Sequence, residues 1–219
     1  MVTERIDPGR SLTRTELLSL AEAAHENAVD LAAEARQLLD TGRHARAYVL
    51  AEAAVEELGK LILVARVRVE LAMGGSRVDW TRFWNRFIDH ADKAWNAGFL
   101  DQLLSEQPEA WARGDVDAIR KDTEGTAKAK REAAYMVELR ERALHVGFRD
   151  GKVECPSEQI PPADAPMIVD AVQQLSTMLA GLVAGEDRLK LIGRDPELRK
   201  HAYELRRRLN RIRPGPPPA

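Results

Sequence analysis

Two alanine-rich segments, in which apolar residues recur at steps of three and four, constrain this chain more than anything else in it. In the first, Leu17, Leu20, Ala21, Ala24, Ala28, Leu31, Ala35, Leu38 and Leu39 fall on one helical face. In the second, Ala47, Leu50, Ala51, Ala54, Leu58, Leu61, Ile62, Ala65 and Val69 repeat the pattern. The stretch "DTGR" at 40–43 stops the first helix, and "GGS" at 74–76 ends the second. Two helices joined by so short a turn are expected to pack as an antiparallel hairpin with closely spaced axes.

Further helices follow. The stretch "WTRFWNRFIDHADKAW" predicts a third helix from near Asp79, with Trp80, Phe83, Trp84 and Phe87 on its apolar side. A fourth is expected over about 116–144, breaking at Gly147. Proline and glycine then punctuate "FRDGKVECPSEQIPPADAP", which reads as a loop or short hairpin. Helix returns over about 165–185 and 196–212, before a disordered proline-rich tail at 213–219. No stretch sustains period-two alternation, so the expected class is all-α. The expected organisation is an antiparallel helical bundle over 12–160, with C-terminal helices over 161–212 packing on the same domain.

A chain of 219 residues with 44% hydrophobic content is long enough to bury a proper core. Its 33 lysines and arginines nearly balance 35 acids, so the overall field does not draw it to nucleic acid or membrane. Any contact with a polyanion must use a local patch. The one cysteine, Cys155, excludes an internal disulfide framework and fits a reducing compartment. The opening stretch "MVTERIDPGRSLTR" lacks the apolar core of a signal peptide, and no segment reads as the roughly 20 apolar residues of a membrane span. A soluble, cytoplasmic protein without membrane association is therefore expected.

Several polar residues are candidates for chemistry. In "AEAAVEELGK", Glu56 and Lys60 stand four apart as a surface ion pair would, whereas Glu57 flanks the apolar stripe and needs a partner such as an arginine. Glu22 and His25 have the Glu-x-x-His spacing of di-iron bundles, but no second copy occurs, so His25 is read as an exterior residue and no metal or cofactor is expected. His90 and Lys93 lie one turn apart, where they either bind phosphate or solvate an exposed face. The segment 199–213 is the one obvious basic patch. In "ELRERALHVGFRDG", Arg140 and His145 combine a permanent fork for phosphate with a group that titrates near neutrality. An ideal helix turns about 100° per residue, which points positions five apart away from each other. The two residues meet only at a loosened helix end or in a cleft shared by two subunits.

Taken in order, "GRHARAYVLAEAAVEELGK", "FWNRFIDHADK" and "LRERALHVGFRDGKVECP" resemble the AbiV-type abortive-infection proteins of bacteria, a branch of the HEPN superfamily. The resemblance spans most of 17–160. It implies an all-α, HEPN-like bundle that forms homodimers. The superfamily's signature is Arg, four to six residues, then His, which Arg140-Glu-Arg-Ala-Leu-His145 satisfies. The implied activity is metal-independent RNA cleavage at the dimer cleft, with Arg140 and His145 catalytic. Arg142, Glu57, Lys60, His90 and Lys93 are the expected binding or supporting residues. Relatives often read Leu-Tyr-Val where this chain has Leu144-His145-Val146. Two other readings stand beside the nuclease: a noncatalytic module that binds a phage or host protein, and a toxin silenced by an antitoxin.

Overall fold

The computed structural model describes residues 9–72, 78–90 and 123–183, together with Asp7, Lys93, Pro196 and Lys200. Helix α1, Arg14–Asp40, opens on a capping box. The Thr13 hydroxyl accepts from the Glu16 amide at 3.2 Å, and the Glu16 carboxylate accepts from the Thr13 amide at 2.8 Å. It closes on the expected "DTGR" stop through a Schellman arrangement. Gly42 takes φ 75°, the Arg43 amide donates to Leu38 O at 2.8 Å and the Gly42 amide donates to Leu39 O at 2.9 Å. That reversal sends α2, His44–Ala72, back along α1. Ala21, Ala24, Ala28, Ala32 and Ala35 of α1 are buried, as are Ala45, Ala47, Ala51 and Ala54 of α2. Small side chains let the two backbones approach closely, as the spacing predicted.

Helix α2 is the hub of the bundle. It touches α1, α3 (Trp80–Ile88), α4 (Thr123–Leu144), α5 (Pro156–Gln159) and α6 (Asp164–Val183). Sixteen of its 29 residues are buried, on nearly every side, as a helix enclosed by neighbours must be. Leu58, Leu61 and Val64 form the core with Leu17 of α1, Leu139 of α4 and Val169 and Val172 of α6. Truncating such a leucine to alanine costs about 2–5 kcal/mol.

Two features depart from the expectations, at the end of α3 and in α6. Helix α3 ends at Ile88, because Asp89 turns extended (φ −74°, ψ 119°); its amide donates to Asn85 O, and a new turn follows in which the Lys93 amide donates to Asp89 O at 3.2 Å. His90 and Lys93 thus belong to a separate turn. The stretch after α4 forms the short hairpin that was one of its two expected readings, β1 (Gly147–Arg149) paired antiparallel with β2 (Lys152–Glu154). Asp150 and Gly151 connect them with φ 51° and 78°, the twist that suits a two-residue turn. Helix α6 is long and apolar enough by composition to cross a membrane, which corrects the expectation that no segment is. Here it buries Ala165, Ile168, Val169, Val172, Leu175 and Leu179 and packs on α1 and α2.

Described helix on α4 begins at Thr123, and 116–122 lie outside the described residues. So do 73–77, and with them the "GGS" stop at 74–76. The expected helix over 196–212, the basic patch at 199–213 and the tail also lie outside them, apart from Pro196 and Lys200. At α3, Trp80, Phe83, Trp84 and Phe87 pack edge-on or tilted at centroid distances of 5.0–5.7 Å. The Trp84 indole donates to Arg10 O at 2.8 Å, fastening the start of the chain over α3.

Gly59 marks where the turn carrying Lys93 crosses α2. A Cβ built there would stand 2.2 Å from the Lys93 carbonyl oxygen. Gly59→Ala is therefore predicted to destabilise the fold by about 1–3 kcal/mol in urea unfolding, despite the better helix propensity of alanine. Gly181→Ala in α6, where a Cβ meets open space, is predicted to stabilise by up to about 1 kcal/mol.

Candidate functional site

Two glutamates one turn apart on α2 organise the site. Glu52 is fully buried and Glu56 nearly so. Carboxylates in such a position need cations. The first is Arg140, near the C-terminal end of α4, whose Nη1 donates to Glu52 Oε2 at 3.1 Å and to Glu56 Oε1 at 2.5 Å. The other two come from the turn after α3. His90 Nδ1 donates to the Glu56 carboxylate at 2.6 and 2.7 Å, which places a proton on that nitrogen. Lys93, itself buried, places Nζ 2.9 Å from Glu56 Oε2. One carboxylate thus joins α2, α4 and the turn after α3.

The protonation of the pair is split by its surroundings. Burial and the neighbouring Glu56 charge push the Glu52 carboxyl up to about 7, against the opposing pull of Arg140. Its Oε1 is buried without a hydrogen-bond partner among the described residues. Burial also raises Glu56, but hydrogen bonds from Lys93 and His90, and their charges, outweigh it and hold this carboxyl below its ordinary range. Burial disfavours the charge on Arg140, and the two glutamates more than restore it. Beside them, burial and the Glu52 charge push the Tyr48 phenol well above its usual range.

Beyond Arg140 the helix ends in the open. His145 is 73% exposed in its side chain, and its Nε2 lies 3.9 Å from Glu141 Oε2. The other oxygen of the same carboxylate, Oε1, accepts from Arg140 Nη2 at 3.4 Å. Arg140 therefore uses one terminal nitrogen inward, on the buried acids, and one outward, toward the group beside His145. Arg142 turns away to α5, where its Nε donates to Gln159 Oε1 at 3.2 Å and Nη2 reaches the same oxygen.

The expected residues fall into two groups. Arg140, His90 and Lys93 converge on Glu56. Lys93 is buried, so the reading of its face as exposed is corrected: the turn after Asp89 folds inward onto the acids. Glu57 and Lys60 stand apart. Lys60 Nζ lies 2.6 Å from Glu57 Oε1, and 5.4 Å above the centre of the Phe87 ring. Glu57 thus takes a lysine as partner, and the expected Glu56–Lys60 surface pair is replaced by a buried Glu56. His25 is half-buried rather than exterior, and its Nε2 donates to Ser176 O of α6 at 2.9 Å. Glu52 was missed altogether. Two acids four apart inside an alanine run were the signal, since both fall on one line of a helix whose neighbours there are buried.

The all-α bundle is the fold class that the HEPN resemblance implied. The chain matches the AbiV family over residues 16–177 and belongs to this HEPN family. No curated protein and no solved structure matches it.

Two measurements test the cluster. Arg140→Ala leaves both buried carboxylates without their shared cation and is predicted to cost about 3–5 kcal/mol in chemical unfolding. The raised carboxyl of Glu52 contributes stability that is fully present below its ordinary 4.5 and lost as the pH rises through about 7. The lowered carboxyl of Glu56 works in the opposite sense, its contribution being lost as the pH falls below 4.5. The melting temperature is thus predicted to fall between about pH 5.5 and pH 8 on account of Glu52, and Glu52→Gln to flatten that fall.

Proposed function

We propose that this chain is a phage-defence protein of the abortive-infection type whose effector step is metal-independent cleavage of RNA. Membership of the AbiV family supports the first part. The observation that carries the second is the outward edge of Arg140, held by Glu52 and Glu56, beside an exposed His145 that no core contact immobilises. An arginine fixed from behind presents a preorganised donor to a phosphate, and an exposed imidazole is free to exchange protons.

In this reading neutral His145 takes the proton of a ribose 2′-hydroxyl. The 2′-oxygen attacks phosphorus, the bond to the 5′-oxygen breaks, and that oxygen takes a proton from solvent or from the protonated His145 of a second copy. The products are a 2′,3′-cyclic phosphate and a 5′-hydroxyl. Arg140 offsets the charge that grows on the phosphate. Because the site lies at an open helix end, a homodimer is the assembly that would enclose it. His90 and Lys93 act behind Arg140 through Glu56 rather than on substrate.

A noncatalytic binding module is the second reading, favoured by one observation. The hairpin after His145 exposes Phe148 and its cross-strand partner Val153, with Val146 beside them. An exposed apolar ribbon of this kind suits contact with a protein.

The deciding experiment compares wild type with His145→Ala on total RNA and tRNA in EDTA, with product ends mapped. His145 is exposed, so the variant is predicted to fold with a melting temperature within about 2 °C of wild type. Under the nuclease reading it loses at least about 100-fold in cleavage, and the cyclic-phosphate ends disappear. Phage protection that survives this substitution would favour the binding module.

A further inference from the structure

The carboxylate of Glu141 lies between the two groups that the nuclease reading requires. Its Oε1 is 3.4 Å from Arg140 Nη2, and its Oε2 is 3.9 Å from His145 Nε2. A phosphodiester offers the same feature to the same pair: two non-bridging oxygens sharing one negative charge. Arg140 has no second way to meet an anion on its inner edge, because Nη1 is consumed by Glu52 and Glu56. Nη2 is the terminal nitrogen left facing outward, and Glu141 takes it. The contact is long, and the Glu141 side chain is 57% exposed, so it is readily displaced.

We infer that Glu141 acts as an internal competitor at the phosphodiester position that the nuclease reading places between Arg140 and His145. An entering phosphate takes the place of the carboxylate on Arg140 Nη2, and Glu141 swings into solvent. The residue lowers affinity for RNA in the resting protein and imposes a threshold on the backbone that can enter. This inference rests on the nuclease reading for its ligand, though the anion site itself does not require cleavage.

The test uses the full chain and a fluorescent 2′-O-methyl oligoribonucleotide, which has the phosphates of RNA but no free 2′-hydroxyl to attack them. Binding is followed by anisotropy for wild type, Glu141→Gln and Glu141→Ala. Glu22→Gln, an exposed acid on α1, serves as the charge-matched control. Both Glu141 variants are expected to bind about threefold to tenfold tighter than wild type, with the control unchanged. The gain should shrink when Glu141→Gln is combined with His145→Ala. Equal or weaker binding by the Glu141 variants, or an equal gain in the control, would overturn the inference. Unmodified RNA then separates the two readings. Tighter binding without cleavage by any of the proteins leaves the anion site standing and removes the nuclease. Cleavage by wild type with no gain at Glu141 removes the competitor alone.

Discussion

Burying two carboxylates one turn apart in a helix is the constraint on which the rest of this molecule depends. Glu52 and Glu56 sit buried on the helix that touches most of the bundle. Removing one charge from water costs several kcal/mol unless cations and donors stand close. The chain brings Arg140 from α4 and Lys93 and His90 from the turn after α3. Those three contacts fix the approach of two otherwise modestly packed elements. Gly59, one turn beyond Glu56, clears the path for the backbone of Lys93. Apolar packing joins α1, α2 and α6, while charge places the parts that surround Arg140.

This division explains what could be read from the sequence. The helical hairpin of α1 and α2 was legible because its alanine stripe is regular and its stop signal local. The helical part of α4 to Leu144 and most of α6 were also legible as helix between stretches that proline and glycine punctuate. The buried acids were not legible. Glu56 and Lys60 have the spacing of a helix-surface pair, and that local explanation sufficed. Its true partners stand 84 residues away at Arg140 and 34 away at His90. Periodicity also fails on α2, since a helix buried on nearly every side has no polar face against which a buried acid would stand out.

Arg140 and His145 stood out in the sequence by residue chemistry, and the resemblance then added the family signature, while the helical wheel argued against their meeting directly. In the structure Glu141 reaches Arg140 with one oxygen and approaches His145 with the other. His90 and Lys93 were correctly grouped, but their common target could not be seen until α3 was known to end at Ile88.

The contrast between the two signature residues has an evolutionary consequence. Arg140 is tied to two buried acids, so the fold itself selects for a cation there whatever the protein does. The His145 side chain is exposed and, among the described residues, touches only Glu141, so its replacement is expected to be close to neutral for folding. Chemistry at this position can therefore be acquired or lost by a single substitution without passing through an unstable intermediate. The bundle thus keeps one signature residue by its own packing needs and leaves the other to whatever the surface does.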